Sequence, residues 1–183
     1  MKNYLKVSST GDDTLIDSIN KGARKVLEEH CNKAFITQTI RQTHDYGNAV
    51  IRLRLPVQSI TSVTDYDAEE TATTLTLNTD YYKNSYTGEL YKIAGRWPTT
   101  PGRWPTWPQY AQVIYIAGYG ATSTSVPEGI KTCIKRLGAY LYQHRTEFLD
   151  EANYGDGGFN LSPDKIPQSI RMLAAPYKVL RTL

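Results

Sequence analysis

The chain has 183 residues, 40% of them apolar and 21% charged, and a formal net charge of +3. This balance allows a packed core, excludes global disorder, and suits one domain with a small lobe. The charge is too small to mark a nucleic-acid binder, and no apolar run approaches the roughly 20 residues of a membrane helix.

Met1–Val7 has charge but no apolar stretch of the signal-peptide kind. Leu15, Ile16, Ile19, Ala23, Val26, Leu27 and His30 recur at helical spacing and predict an amphipathic helix over Asp12–Asn32. Ser9, Thr10 and Asp12 are its candidate caps, and Asn32 is its stop. From Phe35 to Thr43 the period changes to two. Val50–Leu55 also alternates, with Ile51, Leu53 and Leu55 on one face and Arg52 and Arg54 on the other. Tyr46-Gly47-Asn48 has turn chemistry, so the two runs are predicted to form a hairpin, with His44 a solvated turn residue. Pro56 should end the second strand. Further strands are predicted at Ile60–Tyr66, Thr73–Leu77, Tyr81–Lys83, Glu89–Ile93 and Gln112–Ala117, separated by Gly, Asn, Asp and Pro signals.

The helical period returns at Val126-Pro127-Glu128, where Ser125 and Pro127 mark a helix start. Its stripe runs through Ile130, Cys133, Ile134, Leu137, Leu141, His144 and Phe148 to about Leu149. An acidic, glycine-rich loop follows at Asp150–Gly158. A second proline-started helix opens at Pro167 and stops at Pro176. The predicted fold is α+β: a small helical bundle of one N-terminal and two C-terminal helices, with an inserted antiparallel β-sheet or small barrel. Residues 1–34 and 121–183 form the helical core with its tail, and residues 35–120 form the insert.

The chemistry-bearing residues are sparse. No glycine-rich phosphate cradle and no Gly-x-Ser-x-Gly elbow is present. Cys31 and Cys133 read as reduced, packed thiols. His30 and His144 fall on apolar stripes, where a core-edge histidine with one hydrogen bond is the expectation. No catalytic, cofactor or metal site is predicted, and the chain is not expected to be an enzyme.

The aromatic content is distinctive. Fourteen tyrosines suit either a β-rich domain or an extensive interface. Gly-Arg-Trp-Pro-Thr occurs at 95–99 and again at 102–106, and all three tryptophans fall between 95 and 108. Prolines stiffen this stretch, so less entropy is lost when it docks. Arg96, Trp97, Arg103, Trp104 and Trp107 therefore form a candidate interface loop. The alternative is that the tryptophans cover an open end of the sheet. Stacking on sugar rings keeps a second functional reading open, a carbohydrate- or receptor-binding β-module of a virion or surface protein. At the C-terminus, Lys165–Leu183 is basic without an acid, and Glu147–Asp156 is acidic without a base. A basic tail after a proline stop has few ways to fold back, and Tyr177, Val179, Leu180 and Leu183 add apolar surface. Such an end is usually a solvated, frayed terminus, and these apolar residues point instead to docking on another surface.

In their order these pieces resemble the head–tail connector (adaptor, or head-completion) proteins of tailed bacteriophages, in the branch with a β-insert. The pieces are Asp12-Asp13-x-Leu15-Ile16, Phe35-Ile36-Thr37-Gln38-Thr39 and Leu55-Pro56-Val57-Gln58-Ser59-Ile60-Thr61-Ser62-Val63-Thr64. Tyr81-Tyr82 follows, with Gly88 and a Trp-Pro, then Val113-Ile114-Tyr115-Ile116-Ala117-Gly118-Tyr119-Gly120 and Val126-Pro127-Glu128-Gly129-Ile130-Lys131. Ile166-Pro167 through Leu173-Ala174-Ala175-Pro176-Tyr177-Lys178-Val179 completes the set. The sequence departs from the pattern in doubling the Trp-Pro element and in its short tail beyond Val179. The resemblance implies a structural protein of the virion neck that is assembled in the host cytoplasm. Such proteins form a ring, usually of twelve copies, between the portal protein and the stopper or tail-completion proteins. DNA passes through the ring without sequence-specific binding, and no membrane or cofactor is involved. By the same resemblance Tyr177, Lys178, Val179, Leu180, Arg181 and Leu183 would form the portal-docking tail.

Overall fold

The structure, a computed structural model, describes residues 2–8, 10–45, 50–67, 70–93, 110–144 and 166–179. The chain divides into two compact units, Met1–Phe35 with Ser123–Leu183, and Ile36–Thr122.

The first unit is helical. It contains α1 (Lys2–Leu5), α2 (Asp13–Cys31), α3 (Glu128–Gln143) and α4 (Gln168–Ala174), with single 3-10 turns at Ser123–Ser125 and Ala175–Tyr177. α1 has no counterpart among the predicted elements. In the predicted stripe of α2, Ile16, Ile19, Ala23, Val26 and Leu27 are buried and Leu15 and His30 are half-buried, and Cys31 next to it is buried as well. α2 packs on α3, and α3 on α4. Their inward positions Ile130, Cys133, Leu137, Leu141, Ile170 and Ala174 are buried too.

The helix ends differ from the capping predictions. Asp12 stands at the N-cap of α2 but makes no side-chain cap. Its carboxylate instead accepts the Tyr142 hydroxyl at 2.5 Å. This bond ties the start of α2 to the end of α3, so the two helices run antiparallel. At the other end Asn32 takes the left-handed conformation, φ 53°, and its N–H reaches the Glu28 and Glu29 carbonyls. The buried Glu28 carboxylate then accepts the Phe35 N–H at 2.7 Å and closes the turn. Pro127 and Pro167 each occupy the N-cap just before α3 and α4, and no side chain caps either helix. α3 is described to Gln143, with His144 as its C-cap. The part of the predicted stripe beyond His144 lies outside the described residues.

In the second unit the described residues form seven strands: β1 (Gln38–Asp45), β2 (Val50–Arg52), β3 (Val57–Tyr66), β4 (Ala72–Thr74), β5 (Tyr81–Asn84), β6 (Glu89–Lys92) and β7 (Tyr110–Ala117). They make two antiparallel sheets, ordered β1-β7-β3-β4 and β2-β6-β5, and neither closes into a barrel. The predicted hairpin between the first two strands does not form. β1 pairs with β7 over Gln38↔Ala117 to Asp45↔Tyr110, and β2 pairs with β6 in the other sheet. Alternation had assigned faces to both strands, and faces do not specify neighbours. His44 is accordingly a half-buried strand residue opposite Ala111, not a turn residue. β2 ends at Arg52, ahead of Pro56, with one further bond in the same register from the Leu53 N–H to the Gly88 carbonyl.

β7 is the central strand. Ala111, Val113, Tyr115 and Ala117 are buried and alternate with half-exposed neighbours. Tyr115 has the largest fully buried side chain in the chain's described part. Its hydroxyl accepts the Arg54 N–H at 2.9 Å and donates to Gln42 Oε1 at 2.8 Å. Gln42 Nε2 in turn donates to the Arg52 carbonyl at 3.1 Å. One phenol therefore joins β1, β7 and the segment that leaves β2. A Lys92–Asp65 ion pair links β6 with β3 between the sheets. Beyond β7, Gly118 has φ +134°, and a Cβ there would come within 2.5 Å of the Ile36 and Thr37 backbone, so only glycine fits.

Removing the Tyr115 hydroxyl leaves a backbone donor and an amide oxygen without this partner. Tyr115→Phe should cost about 1–3 kcal/mol. Thermal melting followed by circular dichroism should show Tm lower by several degrees, and an unchanged Tm would show the network to be incidental.

Candidate docking surfaces

The C-terminal segment is the first candidate. After α4, the turn Ala175–Tyr177 leads to an extended Lys178. Contrary to the expectation of a tail unable to fold back, its described part does so. The Val179 N–H donates to the Cys31 carbonyl at 3.0 Å, using an acceptor left over at the end of α2. Tyr177 lies over Gly129 in the first turn of α3, so closely that a Cβ there would sit 2.8 Å from Tyr177 Cζ and collide with the hydroxyl. The glycine makes room for the ring. Tyr177 and Val179 are thus half-buried on their own unit, whereas Lys178 is exposed. Leu180, Arg181 and Leu183 lie outside the described residues.

Beneath this segment the thiols are inert. Cys31 and Cys133 are free and buried. Burial first, and Cys133 second, push the Cys31 thiol up to about 11. Burial likewise raises the Cys133 thiol. Both remain protonated at neutral pH, poor nucleophiles and poor metal ligands. His144 is held at the end of α3, with Nδ1 2.9 Å from the Tyr140 carbonyl and its ring tilted on Tyr140 at 4.4 Å. Among the described residues no three His, Cys, Asp or Glu side chains converge as a metal site.

A second feature of the helical unit is an open cleft of about 640 Å³, lined by Tyr4, Lys6, Arg136, Tyr140, Tyr142 and Pro167 among others. These residues come from α1, α3 and the start of α4. No local sequence signal joins them, because three distant segments must pack before the cleft exists.

The β unit presents tyrosines on the small sheet. Tyr82 and Tyr91 are cross-strand partners and stack at 4.8 Å with planes 6° apart. Tyr82, Ile93 and the fully outward Tyr86 are exposed. Beside them, the Glu89 carboxylate collects the Tyr91 hydroxyl at 2.7 Å, the Thr87 hydroxyl at 3.0 Å and Arg52 Nε at 3.1 Å. These bonds, the one from Tyr91 foremost, hold the Glu89 carboxyl below its ordinary range. Arg52 therefore serves an ion pair on its own sheet. The candidate loop residues Arg96, Trp97, Arg103, Trp104 and Trp107 lie outside the described residues, between the end of β6 and the start of β7.

No protein-family model matches the chain, and no curated protein matches it. Solved structures do. A chain in the neck of an empty gene transfer agent particle, computed with C6 symmetry, superposes with a TM-score of 0.67 at 17% identity. The match covers 100% of this chain and 88% of that one. A chain from the virion of the native gene transfer agent particle gives 0.66 at 17% identity, again over 100% and 88%. One from the neck of the native particle, computed with C12 symmetry, gives 0.63 at 18% identity, over 99% and 92%. The chain thus shares, along its whole length, the α+β fold of chains found in such particles.

The Gly129–Tyr177 fit has a direct consequence. Gly129→Ala should leave α3 intact, since alanine favours helix by about 1 kcal/mol over glycine. It should displace Tyr177 and expose the Val179 amide, so hydrogen exchange at Val179 should speed up while the α3 amides stay protected. Unchanged Val179 protection would show that Tyr177 does not hold the segment.

Proposed function

We propose that the chain is a structural protein of the neck of a phage-like virion, a ring-forming adaptor between the portal protein and the stopper or tail-completion protein. The observation that supports this most is the full-length likeness to neck chains, two of them in assemblies computed with C6 and C12 symmetry. In this reading residues 1–34 and 121–183 form the connector core and residues 35–120 the inserted β-domain. The chain performs no catalysis, and twelve copies enclose the DNA channel. A net charge of +3 suits DNA that must slide past, since several phosphate contacts per copy would bind tightly and with strong salt dependence.

In this reading the docking tail begins beyond an anchor. Tyr177 and Val179 anchor the segment to its own unit, so the portal is engaged by Lys178 and by Leu180, Arg181 and Leu183 beyond the anchor. Truncation after Val179 should leave the circular dichroism spectrum and Tm unchanged. It should also abolish attachment to the portal, measured as loss of ring-sized mass by light scattering. Full-length protein mixed with portal should reach about twelve copies. A full-length chain that stays monomeric, ignores the portal and is retained on a polysaccharide column would overturn the adaptor reading.

The tryptophan loop is assigned to an interface with a neighbour. Trp97→Ala, Trp104→Ala and Trp107→Ala should each weaken assembly by about 2 kcal/mol, some thirtyfold in affinity, with Tm unchanged. A lowered Tm with normal assembly would make the loop a cover for the sheet end.

A further inference from the structure

Among the described residues each end of the four-stranded sheet is an open edge. β1 and β4 are the outer strands, and among the described residues each pairs on one side only. β1 is long for an exposed edge. Its eight residues pair with β7 in unbroken register, without a bulge. It contains no proline or lysine, and Arg41 is exposed near its middle. Long edges of this kind are ordinarily blunted, because their free N–H and C=O groups invite another strand. β4 is short, and all three of its residues are exposed.

Strand direction decides what each edge accepts. All pairs in the sheet are antiparallel, so β1 and β3 run one way and β7 and β4 the other. A second copy related by rotation about an axis along the strands would bring its β1 alongside β4 of the first. Those strands run in opposite directions, so the antiparallel alternation continues across the boundary. Charges also complement each other: β1 presents Arg41 at mid-strand, while exposed Asp67 and Glu70 precede β4 in the chain. A ring needs two different, complementary patches on each subunit, and the two edges of one sheet are such a pair.

We infer that β4 of one copy pairs with β1 of the next, so that the four-stranded sheets join edge to edge around the ring. This rests on the adaptor reading above. A three-residue β4 limits the number of backbone bonds, so the pairing sets orientation and neighbour order while other surfaces add affinity. Tilt of the strands against the ring axis decides whether Thr74 meets Thr39, Arg41 or Thr43. Along the pairing register these four residues share the outward face.

Disulfide trapping in the full-length chain, assembled with portal, tests the inference. Thr74→Cys is combined in turn with Thr39→Cys, Arg41→Cys and Thr43→Cys. The native Cys31 and Cys133 are buried and should not take part. At least one double variant should give, on oxidation, a ladder of cross-linked chains longer than a dimer on a denaturing gel, and each single variant should stay monomeric. Dimers from Arg41→Cys alone would show β1 meeting β1 across a twofold axis and would overturn the inference. Ring-sized mass without a ladder in any pair would overturn it while leaving the adaptor reading in place. Absence of rings in the unmodified protein would remove both.

Discussion

The β unit depends on where one phenol places its hydroxyl. Tyr115 stands in the middle of β7 with its side chain fully buried, and a buried hydroxyl is costly unless it finds partners. Its partners are the Arg54 N–H and Gln42 Oε1, which belong to segments 61 and 73 residues away. Satisfying this one group aligns β1 with β7 and sets the course of the chain between β2 and β3. Val63, Val113, Ile51 and Leu90 are fully buried in the same unit, but apolar burial is not directional. The polar network selects one arrangement among those that would bury the same surface.

In the helical unit the organising contacts also lie at helix ends. Asp12 leaves its capping role and accepts Tyr142, which brings opposite ends of α2 and α3 together. Glu28 closes the turn after α2 by accepting the Phe35 N–H. Val179 then takes the Cys31 carbonyl. Helix termini expose backbone groups that need partners, and this fold meets part of that need with residues distant in sequence. The C-terminal segment is consequently part of the unit as far as Val179.

These constraints suit a subunit that works by contact. The thiols are buried and protonated, and Arg52, Glu89, Tyr91 and Thr87 are engaged with one another on the small sheet. Outward features are tyrosine faces, an open cleft with Lys6 and Arg136, and two strand edges of opposite direction. In the proposed adaptor reading each copy meets a different face of its neighbour on either side, and several distinct surfaces suit that role.

Local order was legible in the sequence. The stripe of α2, the proline starts of α3 and α4, Asn32 as a helix stop, and the alternation of Gln112–Ala117 all follow from side-chain spacing and backbone preference within a few residues. The tertiary structure alone decided that β1 pairs with β7 and not with β2, because alternation names a face and not a neighbour. It also decided which tyrosines are structural. Tyr115 and Tyr81 are buried, while Tyr82 and Tyr86 stand outside, though all four belong to the same β-rich stretch of sequence. The C-terminal segment divides in the same way. Its position and basic character were visible in Tyr177–Leu183, but its anchoring through Tyr177 required Gly129, 48 residues earlier, to lie beneath the ring. Spacing records what adjacent residues prefer, and burial and hydrogen-bond partners are settled only when distant segments compete for the same space.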